Sequence, residues 1–196
     1  MADGEVQSQA QFTAMTDGTQ EDWMAIVRAA GPFNRELPDR LLSHLKMLGG
    51  DFGGYPVDRL EHSLQTATRA FKVGKDEEYV VCALMHDVGD LLGPSNHAEI
   101  GAIIMKPYVS ERNFWMMDKH GIFQGYYFFH HLGLDRDMRD QFRDHPDFEY
   151  TAQFCHLYDQ NSFAPAYESM PLEAFEPMLR RVLAAPKRSI YKREAA

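Results

Sequence analysis

Disulfide chemistry has almost nothing to work with in this sequence: its 196 residues include two cysteines, Cys82 and Cys155, each inside an apolar stretch of helical pattern. A disulfide scaffold needs more than that, so both read as reduced thiols of a cytoplasmic protein. Basic charge is short as well. Twenty Lys and Arg stand against 29 Asp and Glu, a net charge of -9, so the surface as a whole repels phosphate backbones and anionic lipid heads, and no nucleic acid is expected as a partner. Long apolar runs are missing: a stretch such as Tyr126 to Phe129 is far too short to span a bilayer, and the first twenty residues have neither a basic start nor an apolar run. Neither a secretory signal nor a membrane partner is expected. Internal repeats, low-complexity blocks and alternation long enough for a sheet are absent too. The remainder is an ordinary globular composition, 44% hydrophobic and 25% charged, of a size that suits a single domain with a real core.

Apolar periodicity predicts an all-α fold. Residues 1–20 are polar and aperiodic and read as a mobile arm, residues 21–185 as the domain, and residues 186–196 as a tail. Apolar positions recur at three and four through Trp23, Ile26 and Val27, then Leu41, Leu42, Leu45 and Leu48 up to Gly49 and Gly50. Leu60, Leu64, Ala67 and Phe71 form the stripe of a helix ending at Gly74, and Glu77 to Met85 is a short apolar helix. Ser95 is the expected N-cap of a helix through Ile103, which Pro107 ends. Further helical patterns cover Glu111 to Lys119, Ile122 to His131, Met138 to Arg143, Phe148 to Tyr158 and Leu172 to Leu183.

Chemistry is concentrated in histidine and aspartate. His86-Asp87 closes the hydrophobic run Ala83-Leu84-Met85 and is followed by Val88-Gly89, and a helix end can hold two polar ligands without burying unpaired backbone. Around it stand Leu60-Glu61-His62-Ser63-Leu64-Gln65, His97-Ala98-Glu99-Ile100-Gly101, Lys119-His120-Gly121 and Tyr158-Asp159. With these motifs the stretch 57–160 resembles the HD-domain metalloproteins, a helical bundle that presents His, then His-Asp, then a distant Asp to one metal, with two further histidines for a second. The resemblance implies that His62, His86, Asp87 and Asp159 hold one metal, and that Asp87, His97 and His120 hold the other, with Asp87 bridging. Imidazole with carboxylate suits iron, manganese or zinc, and soft sulfur ligands are absent. His44, His130, His131, His145 and His156 match no motif position and are assigned to packing or solvent.

Within that family the segment Leu60 to Ala67 and the compact size resemble the mixed-valence di-iron oxygenases, the branch that includes myo-inositol oxygenase and the phosphonate-cleaving oxygenases. The resemblance implies two iron ions, Fe2+ and Fe3+, O2 as co-substrate, and a small hydroxylated substrate whose carbon–phosphorus or carbon–carbon bond is cleaved. The best single substrate is of the 1-hydroxy-2-(trimethylammonio)ethylphosphonate type, giving glycine betaine and phosphate. Asp87 and His120 are the catalytic candidates, and Tyr55, Asp90, Gln124 and Tyr127 the substrate-binding ones. Asp90, three residues past Asp87, either attracts a cationic group or serves as a cap or as a hydrogen-bond partner of a ligand His. Aromatic residues crowd past His120, at Phe123, Tyr126, Tyr127, Phe128 and Phe129, and before His62, at Phe52 and Tyr55; they are core or a cage for a quaternary ammonium. Gln124 takes the place where the phosphonate-cleaving relatives have a Lys. Tyr55 stands as a shifted gate or the gate is missing, and Gly49-Gly50 with Gly53-Gly54 either hinge a lid or shape turns. An acidic substrate group would find its partner among Lys119, Lys106, Arg69 and Arg143. The rival enzyme is a phosphohydrolase of nucleotides or other phosphomonoesters, using Mn or Zn, and a metal-bearing sensor without turnover is a third reading.

Overall fold

The computed structural model describes residues 8–191. The chain divides into two compact units, with the boundary between Leu41 and Leu42. In the first unit, Thr19 and Asp22 cap each other's backbone N–H groups at the start of α1 (Gln20–Arg35), a reciprocal arrangement that satisfies two otherwise unpaired amides. Upstream, the Gln11 N–H also donates to Asp22, and the Phe12 ring lies 5.3 Å from that of Trp23. Residues 1–7 of the stretch read as an arm lie outside the described residues.

α2 (Leu37–Lys46) runs through the boundary, and the second unit holds α3 (Arg59–Lys72), α4 (Glu77–Met85), α5 (His97–Met105), α6 (Glu111–Gly125), α7 (Phe148–Phe154) and α8 (Leu172–Leu183). Among the described residues all regular structure is helical, as the periodicity predicts, and no helix is long and apolar enough to cross a membrane. α4 is the hub. Its residues Val80 to Met85 are fully buried, and it packs against α3, α6 and α8, while α5 lies along α6 and α6 along α7. A helix apolar on all sides has to be enclosed by others, and this one is. Side-chain carboxylates or hydroxyls cap the helices that carry the site: Asp58 accepts from the Glu61 N–H at the start of α3, Asp76 from Tyr79 at α4 and Ser110 from Asn113 at α6.

Boundaries differ from the sequence reading in three places. Ser95 does not cap α5. Asn96 holds that position, its side chain makes no cap bond, and the helix runs on to Met105. Gly121 does not divide α6, which continues to Gly125 and is followed by a short 3-10 turn, Phe129–Leu132. A Cβ on this glycine would stand 3.8 Å from the Ala98 Cβ and 4.0 Å from His97 Nε2, ordinary contact distances, so the position faces α5 without being crowded. The pattern over Phe148 to Tyr158 is two structures in series: α7, then a π-helical turn, Cys155–Asp159. Past α8, the Lys187 and Arg188 N–H groups donate to the Pro107 carbonyl; of the tail, residues 192–196 lie outside the described residues.

Candidate metal centre

Each ligand candidate is placed by an end or a bend of a helix. His62 sits in the first turn of α3, His86 caps the C-terminus of α4 with Asp87 next to it, His97 opens α5, His120 lies in the last half of α6, and Asp159 closes the π-helical turn. Close backbone approach brings α5 to α4. A Cβ on Gly101 would come within 2.8 Å of the His86 carbonyl, and one on Gly89 would collide with the His97 carbonyl. Glycine at both positions lets His97 reach Asp87.

The six side chains converge. Asp87 Oδ1 lies 3.0 Å from His120 Nε2 and 3.3 Å from His97 Nε2, while its Oδ2 lies 3.2 Å from His86 Nε2 and 3.4 Å from His62 Nε2. Asp159 Oδ1 is 3.2 Å from His62 Nε2 and 3.7 Å from His86 Nε2. One carboxylate thus faces two histidine pairs with its two oxygens, and the second carboxylate joins one pair. His62, His86, His120 and Asp159 are buried, while His97 and Asp87 retain some exposure toward the cleft.

The other ring nitrogens decide what the cluster can hold. His62 Nδ1 lies 3.0 Å from the Ser162 carbonyl, His86 Nδ1 2.8 Å from Ala83, and His120 Nδ1 2.7 Å from Met117. A carbonyl only accepts, so each Nδ1 carries the hydrogen and each neutral ring turns a lone pair inward at Nε2. Yet His62 Nε2 and His86 Nε2 are 3.1 Å apart, and both face carboxylate oxygens. Asp159 Oδ2 is buried with no partner at all. Acceptors pointed at acceptors repel unless a cation stands among them, so the donor set fits bound metal. Without metal, protons take the cation's place. Burial would strip charge from these groups, but the carboxylates of Asp159 and Asp87 outweigh it and push His62 up to about 9. Asp87 and Asp159 are likewise held well below the usual carboxylate range, against burial, by the facing histidines. All ligating atoms are imidazole nitrogen or carboxylate oxygen. Cys155 points its thiol at the His120 carbonyl instead, 3.5 Å away, and both cysteines are free and buried.

A cleft of about 130 Å³ lies over the cluster and opens to solvent. Tyr55, Asp90 and Gln124 line it. The Gln124 amide nitrogen donates to Asp159 Oδ1 at 3.0 Å, and its Oε1 is buried without a partner. Tyr127 does not line the cleft. Its hydroxyl pairs with His156 Nδ1 at 3.1 Å, because the turn after Gly125 rotates it off the face that carries His120; Phe128 lines the cleft instead. Asp90, read either as attracting a cation or as a cap or partner of a ligand His, stands paired beside His97. It is ion-paired with Arg59, so its charge is already balanced, and its other oxygen lies 3.5 Å from His97 Nδ1, whose hydrogen bond goes to the Pro94 carbonyl at 3.4 Å. Lys119 pairs with Asp118, Arg143 with Asp140, Lys106 lies over Phe114 and Arg69 over Tyr167; none of the four lines the cleft.

Two cleft residues escaped the sequence reading. Arg59 stands three positions before His62 and therefore on the same helix face, a spacing that marks it. Phe163 stacks between Tyr55 and His62, at 5.1 Å and 4.4 Å; it lies in irregular chain beyond the last motif, where no periodicity points to it. A search of curated proteins gives no match. The family model described as HD domain matches residues 59–174, a span from Arg59 to the first turn of α8 that contains every one of the converging side chains. This histidine-aspartate centre and the helices that build it make the chain a member of the HD-domain family, whose members are typically metal-dependent enzymes.

Proposed function

We propose that the protein is a di-iron oxygenase that cleaves the carbon–phosphorus or carbon–carbon bond of a small hydroxylated substrate. One observation carries the choice over a phosphohydrolase: the cationic side chain lining the cleft, Arg59, is already engaged by Asp90 and Asp51. A phosphomonoester would find no uncommitted Lys or Arg among the described residues that line the cleft, whereas a zwitterion brings its own positive end. Tyr55, Phe163 and Phe128 supply ring faces for that end. The unpartnered Gln124 Oε1 accepts from the substrate hydroxyl, and Asp87, placed between the two histidine pairs, would help to hold both ions.

When bound, iron in two oxidation states supplies the electrons for dioxygen chemistry. The protein's own residues hold the substrate: Gln124 orients the hydroxyl-bearing carbon, and the rings shield it from water. With a 1-hydroxyphosphonate the balance is one O2 for each bond broken, giving a carboxylate and phosphate. The test is anaerobic purification, loading with iron and ascorbate, and addition of 1-hydroxy-2-(trimethylammonio)ethylphosphonate. Oxygen uptake equal to phosphate release, with a mixed-valence electron spin resonance signal, is expected. Release of phosphate from a generic ester without oxygen, with manganese or zinc, would establish the hydrolase instead.

A further inference from the structure

Away from the cleft, Tyr126 carries two guanidinium groups on its ring, Arg136 at 4.3 Å and Arg139 at 3.7 Å from the centroid. Both charges therefore sit within about one Debye length, ~8 Å at physiological salt, of each other. Among the described residues neither has a carboxylate within ion-pair distance or a hydrogen-bond acceptor, and the Nε of each is buried and unpartnered. In a chain with 29 acids against 20 bases that is an unusual economy. Of the neighbouring acids, Asp140 pairs with Arg143, and Asp135 accepts from the Asp137 N–H. His130 and His131 have their rings 3.9 Å apart, and burial, His131 and Arg136 together push His130 down, toward the neutral ring.

Guanidinium groups held over one ring lose flexibility before a ligand arrives, and a planar multi-donor head matches a tetrahedral oxyanion better than a point charge does. We propose that Arg136 and Arg139, on the Tyr126 platform, form a binding site for a phosphate-type oxyanion, separate from the metal centre. The chemistry calls for several acceptor oxygens and at least one full negative charge, which inorganic phosphate and a phosphonate or phosphate ester share. Tyr126 meets Tyr127 edge-on at 5.5 Å, and Tyr127 bonds His156 on the turn that carries Asp159, so the site adjoins the centre's supporting turn without sharing a ligand with it.

The experiment titrates the metal-loaded protein with inorganic phosphate, with acetate at equal ionic strength as the carboxylate arm and methylphosphonate as the organic arm. Calorimetry and thermal unfolding are the readouts, on wild type, R136Q/R139Q and R136K/R139K. Saturable phosphate binding should fall at least tenfold in R136Q/R139Q, and part of it should return in R136K/R139K, which keeps the charge and loses the fork. Metal content should be equal in all three. Phosphate responses that are the same in wild type and R136Q/R139Q would place all binding at the metal centre and overturn the proposal. Should R136Q/R139Q not fold, the Arg Nε–H resonances of the wild type, loaded with a diamagnetic metal, decide: they shift on phosphate addition if the site exists and stay fixed if it does not.

Discussion

Gln124 shows how a single side chain can serve two groups. Its amide nitrogen holds Asp159 Oδ1 while its oxygen has no partner, so a hydrocarbon there frees the carboxylate to rotate. Supporting residues of this kind typically contribute 10–100-fold in metal affinity or activity. Gln124→Leu is therefore expected to weaken metal binding by about that factor, measured by competition with a chromophoric chelator; Gln124→Glu, which keeps the shape and adds a repelling charge beside Asp159, should not restore it. Much of the centre was legible at this scale, because ligand residue types are rare enough for their order along the chain to carry meaning. His62, His86, Asp87, His97, His120 and Asp159 all reach one place. What the sequence hid was partnership. Asp90 reads as a free acid until Arg59, 31 residues away, is seen against it, and Tyr127 reads as a cleft ring until the turn after α6 takes it to His156.

Among the elements, the α4–α5 contact is the one with least tolerance. Adding a methyl at Gly101 brings it to 2.8 Å from the His86 carbonyl and 3.2 Å from that of Met85, backbone atoms that cannot swing aside. Gly101→Ala should cost about 1–3 kcal/mol in denaturant unfolding and, by pushing α5 outward, loosen metal on the His97 side of Asp87 more than on the His62 side. A second inter-element tie is electrostatic. Glu78 on α4 accepts from the Ser110 N–H at 2.6 Å and the Asn113 side chain at 2.8 Å and pairs with Lys187. Burial would raise this carboxyl, but the three partners bring it down to about 2. A carboxyl that is more acidic folded than unfolded contributes stability above its unfolded value, near 4.5, and loses it as the pH falls toward 2. Thermal melts from pH 6 to pH 2 should therefore show an acid-side loss of order 1 kcal/mol, screening included, that Glu78→Gln lacks. Helix boundaries followed the apolar pattern closely at α4 and α8, where burial and periodicity agree. They failed at Gly121, because a single glycine inside a helix, as here, looks in sequence like one that ends it.

For the molecule as a whole, the centre is a store of unbalanced acceptors at the meeting point of α3, α4, α5, α6 and the π-helical turn. Metal joins these elements from the inside, so removing it should loosen all of them together. A ligand present at a thousand times its dissociation constant stabilises by about 4 kcal/mol, and chains of this size shift by roughly 2–4 °C per kcal/mol. Treatment with a strong chelator is accordingly expected to lower the melting temperature by about ten degrees, and readdition of iron, manganese or zinc to reverse it. The all-helical class was legible because no alternation competes with the three-and-four spacing, while the cleft was not, since rings such as Phe163 are brought in by tertiary geometry alone. The wide turn from Cys155 to Asp159 also sets a phase. A π turn is an α-helix with one residue too many, and each residue advances the chain by about 100°. Deleting Leu157 should let α7 run on as regular helix, swing the Asp159 carboxylate out of reach of His62, and leave a folded protein with metal retained only beside His97 and His120.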